Sequence, residues 1–262
     1  MSRTPESARS IDLNADLGES FGPWSMGDDA AMLDIVTSAN VACGFHAGDP
    51  SIMRRTAELA LARGVAIGAH PGFQDLAGFG RRRVLGISGR DLENMIAYQI
   101  GALQAVAALA GHRVTHVKTH GALGNMAAED DDMALAVGRA IKAADPSLLF
   151  LVMPGMATER AAQRLGLAHF REIYADRTYD DTFNLTDRSK PGAVIHDADE
   201  AVRHVLRMLE DRAVTSVNGK RMAVEIDSVC VHGDNPGSVA LARRLRSALE
   251  GAGLAVTARW NP

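Results

Sequence analysis

The feature that most constrains this chain is a rhythm. Short apolar runs alternate with stretches of helical length almost throughout. The runs lie at Ile11–Asp16, Ala39–His46, Val65–His70, Val114–His120, Leu148–Met153, Phe170–Asp176, Ser228–His232 and Leu254–Ala258. Such lengths suit strands buried on both faces, and strand–helix alternation implies parallel strands joined by crossover helices. Several helix starts are legible. Asp49-Pro50 and Asn235-Pro236 each place an N-cap residue before a proline at the first helical position. Ser88-x-x-Asp91 resembles a capping box opening a helix that runs to Ala110 and stops at Gly111. Seven or eight such units without a compositional break predict one α/β domain over residues 11–262. Its expected form is a seven- or eight-stranded, TIM-like (β/α) barrel, with an open doubly wound sheet as the alternative.

Two segments interrupt the rhythm. Val214–Val224 carries Asn218-Gly219 between β-prone residues and reads as a small hairpin. Asp176–Ala193 is polar and charged with neither period, the character of a lid or binding loop. Residues 1–10, MSRTPESARS, lack the apolar core of a signal peptide and read as a disordered tail. No apolar stretch approaches the ~18 residues of a membrane span. A net charge of −4 without a long basic run argues against nucleic acid and anionic membranes as partners. Cys43 and Cys230 sit far apart inside apolar runs, which points to reduced core thiols and a cytoplasmic protein. No GxxxxGK[ST] loop, strand-linked GxGxxG or GxSxG elbow is present.

Four of the apolar runs end on histidine: His46, His70, His120 and His232. In barrels and open α/β sheets the carboxyl ends of the strands carry the ligand site. One histidine at such an end is most often structural; four converging there are not. In IDLNADLGES the alternation places Asp12, Asn14 and Asp16 on one face, and in VTHVKTH it does the same for His116, Lys118 and His120. Polar residues stacked on one face of a buried strand must pair or meet a ligand. A register-fixing ion-pair network accounts for Asp12 and His116, whereas Asp16, Lys118 and His120 are expected at the mouth. Ala42, Gly44, Ala66 and Gly68 leave room in the lumen on this reading. GFGRRR, residues 78–83, could offer arginines to a carboxylate or phosphate, or form a solvated basic loop. Asp16, His46, His70 and His120 could hold a divalent metal that activates water. The same groups could instead work without metal, as carboxylate base, histidine acid and lysine clamp.

The segments DLNADLGESFGPW, SANVACGFHAGDPSIMRRT, GVAIGAHPGFQDLAGFGRR, VKTHGALGN, RSKPGAVIHD and VCVHGDNPGSVALAR closely resemble the LamB/YcsF lactam-utilisation family. The matches run in order from near Ile11 to near Leu254. This resemblance implies a barrel of the glycoside hydrolase/deacetylase type. It also implies a part in the ATP-driven opening of 5-oxo-L-proline to L-glutamate by 5-oxoprolinase, with ATP as co-substrate and subunits B and C as partners. Within the matching motifs, Asp16 or Glu19 becomes the candidate base, His46 or His120 the acid, and Lys118 the stabiliser of negative charge. Asn14, His70, Asn125, Arg188 and His232 become candidates for binding the small lactam. The family's KPHGALYN motif reads KTHGALGN here, with Thr119 and Gly124, and Ala15 stands where cysteine is usual. Two other functions fit the same residues: a stand-alone metal-dependent hydrolase or deacetylase, and a non-catalytic substrate-binding subunit.

Overall fold

A computed structural model describes residues 10–233 and 237–258. The first half of the chain runs β1 (Ser10–Leu17), α1 (Asp29–Leu33), β2 (Ser38–Ala42), α2 (Pro50–Ala62), β3 (Ala66–His70) and α3 (Gly89–Leu109). Then come β4 (Val114–Val117), α4 (Gly121–Glu129), α5 (Asp131–Ala144), β5 (Leu149–Val152), α6 (Ala157–Leu165) and β6 (His169–Tyr174). The chain continues through α7 (Ala198–Asp211), β7 (Ala213–Thr215), β8 (Arg221–Ala223), β9 (Ser228–His232), α8 (Ser238–Gly251) and β10 (Ala255–Val256).

Seven parallel strands, in the order β1-β2-β3-β4-β5-β6-β9, close into a barrel because β9 returns to pair with β1. That pairing, from Asp12↔Ser228 to Asp16↔His232, rules out the open sheet. β10 pairs only with Ser10 and Ile11, so the eighth run lies outside the ring. β9 already occupies that side of β1 from Asp12 onward.

Alternation along the strands sorts the side chains. Leu13, Ala15 and Leu17 of β1 join Ile67, Val117, Phe150, Ile173 and Val229 in the layer beneath the helices. Leu92, Ile96, Ile100 and Leu103 of α3 cover part of it, as do Leu245 and Leu249 of α8. The lumen, by contrast, carries polar groups from Asp12 up to Lys118 that hydrogen-bond across neighbouring strands, with Leu151 among the apolar residues beside them.

The expected caps form. Asp49 accepts hydrogen bonds from the Ser51 and Ile52 amides, with Pro50 opening α2. Ser88 accepts from the Asp91 amide at the start of α3. Asn235-Pro236 and residues 1–9 of the expected tail lie outside the described residues. The Asn218-Gly219 turn joins antiparallel β7 and β8. The 176–193 segment is pinned as well: Tyr179 is buried, and its hydroxyl accepts from the Tyr174 amide. Both cysteines are free and buried. No helix among the described residues is long and apolar enough to cross a membrane.

Two strand expectations need correction. β2 ends at Ala42, four residues before His46, because the chain turns through Gly44 and Gly48, both at positive φ. A Cβ on Gly48 would stand 2.6 Å from the Ala42 carbonyl oxygen, so only glycine fits the turn. β4 likewise ends at Val117, and His120 occupies the N-cap position of α4. The room expected at Gly68 is also taken. A Cβ there would lie 2.1 Å from His116 Cδ2, so the neighbouring histidine ring fills the gap.

Candidate active site

The lumen chemistry builds upward from its floor. Asp12 accepts hydrogen bonds from Thr37 (2.7 Å), Ser38 (3.0 Å) and Ser228 (2.5 Å). Burial pushes its carboxyl up to about 6, against the pull of those hydroxyls. One level higher, Asn14 donates to Glu172 (2.9 Å) and Ser228 (2.8 Å) and accepts from Asn40 (2.8 Å). His116 donates to Asn40 (3.0 Å), and burial takes its imidazole down to about 3. These groups fix register across five strands and lie beneath the mouth.

Lys118 is the hub of the next level. Its ammonium donates to Asp16 Oδ1 (2.9 Å) and Cys230 Sγ (2.9 Å) and pairs with Glu172 Oε2 (3.0 Å). The ring of Tyr174 lies 5.1 Å away. Burial alone would pull the amine down, but Asp16, Cys230 and Glu172 hold it well above its usual range. Burial likewise pushes Asp16 up, yet His70 and Lys118 outweigh it and keep that carboxyl well below the usual range. An ammonium has three protons. Here all three have partners inside the barrel, so Lys118 positions Asp16 and Glu172 more directly than it reaches into the cavity.

At the rim, His46, His70 and His120 gather around Glu19. His46 stacks on His120 with ring centroids 3.6 Å apart and planes 2° from parallel. Glu19 Oε1 lies 3.5 Å from His46 Nε2 and 3.6 Å from His120 Nδ1. Burial and the neighbouring imidazoles hold His46 well below the ordinary histidine range, and burial with His70 does the same to His120. Tautomers follow from the carbonyl partners. His70 Nδ1 faces the Lys118 carbonyl at 2.7 Å and His120 Nε2 faces that of Phe79 at 2.8 Å, so each of those nitrogens carries a proton. That leaves His70 Nε2 and His120 Nδ1 facing each other at 3.0 Å, an arrangement that needs a proton or a metal ion between them.

Glu19, His46, His70 and His120 each offer one donor atom, and the four atoms lie within 4.8 Å of one another. Among the described residues, neither ring nitrogen of buried His46 has a hydrogen-bond partner. Carbonyl-anchored histidines with lone pairs turned to a common point fit a divalent ion such as zinc. Asp16 belongs to a second possible set with Cys230 and His232, although its Oδ2 reaches His70 Nε2 at 3.3 Å.

The opposite wall comes from β5, β6, β9 and the segment after β6. His232 Nδ1 is held by both carboxylate oxygens of Asp176, at 2.7 and 2.9 Å, and its ring stacks on Tyr174. A cavity of about 310 Å³ separates the walls. Asp16, Glu19, His70, Lys118, His120, Asn125, Arg188 and His232 line it.

The sequence model of the LamB/YcsF family matches residues 11–261. The chain belongs to the LamB/YcsF family. It is 61% identical over 246 residues to the 5-oxoprolinase A subunit of Rhodopseudomonas palustris strain BisB5, covering 94% of this chain and 97% of the relative. The lactam utilization protein of Thermus thermophilus superposes with a TM-score of 0.88 at 43% identity, over 95% of this chain and 99% of that one. The catalytic domain of a peptidoglycan N-acetylglucosamine deacetylase from Eubacterium rectale shares the fold, with a TM-score of 0.52 at 10% identity over 99% of this chain and 93% of that one. This chain and that deacetylase domain thus share a barrel fold.

In this LamB/YcsF chain most of the candidate residues read from the motifs face one cavity. His46 lies against that wall behind His120, and Asn14 sits a level below. Glu172, Tyr174, Asp176, Arg177 and Cys230 were missed as site residues. A signal existed for the first three: in FREIYAD the strand period puts Glu172, Tyr174 and Asp176 on one face. Of GFGRRR, Arg81 and Arg83 line the cavity, while Arg82 is engaged by Asp75. Thr119 and Gly124 are coupled. A Cβ on Gly124 would stand 2.9 Å from the Thr119 carbonyl oxygen and 3.2 Å from its hydroxyl.

Proposed function

We propose that this chain is the lactam-handling component of an ATP-dependent 5-oxoprolinase that opens 5-oxo-L-proline to L-glutamate. In this reading it works with subunits B and C, and ATP is a co-substrate of the assembled complex. The observation that carries the proposal is the site itself, within a chain so similar to a relative of that name. An ionised carboxylate and neutral histidines meet at a cavity of about 310 Å³, room for a small ring.

A lactam amide resists attack. Opening it requires an activated water, stabilisation of charge on the carbonyl oxygen and a proton for the departing ring nitrogen. Glu19, amid three histidines at the rim, is placed to take the water's proton. Asp16 is held ionised and fixed by Lys118 and His70, a role of orientation and electrostatics. His46 and His120 favour their neutral forms and make poor acids at neutral pH. The better-placed proton donor is His232, its ring oriented by Asp176 in the manner of an Asp–His dyad. His46, His70 and His120 would hold a divalent ion, which supplies Lewis-acid polarisation of a carbonyl, and with such an ion bound Glu19 is either its fourth ligand or the base, not both. Phosphorylation of the lactam oxygen, the step that makes ATP useful, is assigned to the complex as a whole.

The test is 5-oxoproline-dependent ATP hydrolysis and glutamate release, with and without subunits B and C, alongside elemental analysis of the purified chain. Coupled turnover only in the full set supports the proposal. The four-residue donor cluster favours a second reading, a stand-alone metal-dependent hydrolase. Stoichiometric metal with amide or acetyl hydrolysis in the absence of ATP would establish that one instead. If Glu19, His46, His70 and His120 can all be replaced with loss of binding alone, the chain serves only to bind substrate.

A further inference from the structure

Among the described residues, one cation on the cavity wall has no carboxylate paired to it. Arg177 follows β6 and is only 3% exposed, yet it lines the same cavity as His70 and His120. Its Nε donates to the Ala193 carbonyl (3.2 Å) and its Nη2 to that of Thr186 (2.6 Å). Both partners are neutral, and no carboxylate among the described residues comes within ion-pair distance of it. The adjacent Asp176 is turned to His232 instead. Arg171, which is less buried, has carboxylates from both Asp227 and Glu225. Burial and the nearby Arg188 cation pull the Arg177 guanidinium down to about 10, only partly offset by Asp176. A charge kept this deep without a paired opposite charge is costly. The cavity is where that opposite charge can arrive.

We propose that Arg177 is the counter-charge for a single carboxylate on the ligand, held across the cavity from the His46–His70–His120 cluster. This deepens the function proposed above and rests on it: in 5-oxoproline the carboxylate and the scissile carbonyl lie on opposite sides of the ring nitrogen. The ring order β3-β4-β5-β6 sets the two poles apart, with the histidines on the β2–β4 side and Arg177 beyond β6. The planar guanidinium matches a carboxylate's two oxygens. Inorganic phosphate is the competing anion, and the titration below separates it from a carboxylate. Arg81 and Arg188, also on the wall, have interactions of their own.

The experiment is calorimetric titration of the full chain, wild type and Arg177→Gln, with three probes: L-5-oxoproline, its carboxamide and inorganic phosphate. Wild type should bind the acid about 10- to 100-fold more tightly than the amide, the range for a hydrogen bond to a buried charge. Arg177→Gln should erase that preference while leaving amide affinity in place. Arg177 also ties down the 176–193 segment, so the amide serves as the control: damage to the segment weakens both ligands, whereas loss of counter-charge weakens only the acid. Arg177→Lys should recover part of the preference. Equal affinity of wild type for acid and amide overturns the proposal, as does a preference that survives in Arg177→Gln. Arg177-dependent phosphate binding without acid–amide discrimination also overturns it. N-acetylglycine and its amide separate this proposal from the lactam reading. If neither lactam binds but N-acetylglycine shows the Arg177-dependent preference, the carboxylate assignment stands and the lactam function falls.

Discussion

Replacing Lys118 with methionine removes the ammonium shared by two buried carboxylates and keeps the volume of the side chain. Asp16, Lys118 and Glu172 are 6%, 3% and 2% exposed, so water cannot replace the lost charge. Breaking a buried ion pair costs about 3–5 kcal/mol. Because one lysine serves both carboxylates, at 2.9 and 3.0 Å, the upper half of that range is expected. With about 2–4 °C per kcal/mol at this size, Tm should fall by roughly 8–20 °C. The pH dependence has a definite sign. Asp16 sits well below its ordinary value of 3.8, so its contribution is present above that value and lost as pH falls through the folded pKa. Lys118 sits well above 10.5, so its contribution is present below that value and lost as pH rises through the folded pKa. Wild type therefore retains both contributions at neutral pH. In Lys118→Met the Asp16 carboxyl loses one of the charges that hold it low and takes up a proton more readily, and the deficit should shrink from pH 7 to pH 5. Adding Glu172→Gln removes one stranded charge and should restore about 1–3 kcal/mol. Urea melts followed by circular dichroism at several pH values measure all three effects. A loss below about 1 kcal/mol at pH 7, or a deficit indifferent to pH, would refute the counter-ion argument.

Other perturbations address separate layers. Gly68→Ala drives a methyl into the His116 ring and should cost about 1–3 kcal/mol or more, with His116→Ala in the same chain recovering much of it in denaturant titrations. Asp12 is raised to about 6, so the folded state binds its proton more tightly than the unfolded chain does. Its contribution therefore declines as pH climbs from about 4 through 6, and Asp12→Asn should flatten that part of the stability–pH curve. Asp176→Asn should lower kcat of the reconstituted complex by about 10²- to 10⁴-fold with little change in KM, because it releases the His232 ring without removing it. His46→Ala should cut divalent-metal uptake by the purified chain, read by elemental analysis after dialysis against zinc or manganese; unchanged uptake would remove His46 from the donor set.

Local periodicity carried most of the fold. The strand runs, the Asp49 and Ser88 caps and the Asn218-Gly219 hairpin all express short-range preferences that a linear reading can recover. Closure was not legible, because it depends on Asp12–Asp16 meeting Ser228–His232 more than 200 residues later. The overlong strand at His46 has a similar cause: Cys43 and Ala47 remain buried while the backbone turns, so hydrophobicity outlasts the strand. At Gly68 a small residue looked like empty volume, but a register shift between Ile67 and Gly68 brings His116 alongside. The mouth histidines could be found because a polar residue ending an apolar run is conspicuous. Cys230 looked like core because its sulfur acquires meaning only beside the Lys118 amine, which arrives from across the lumen. Arg177 escaped notice because arginine after a strand is ordinary, and only depth without a carboxylate sets it apart.

The crossover from β6 to β9 interrupts an otherwise even ring with the pinned 176–193 segment, α7 and a hairpin. Glu19 and the three clustered histidines depend on none of that excursion, since β1 to β4 and the turns after them supply all four. Arg177 and Arg188 belong wholly to it. The two arcs still meet at one point, because Asp176 at the start of the excursion holds the His232 ring of β9. Exchange of the excursion between relatives with Asp176 kept in place should transplant preference for a ligand's tail, much as a swapped jaw alters the grip of a tool and leaves its hinge alone.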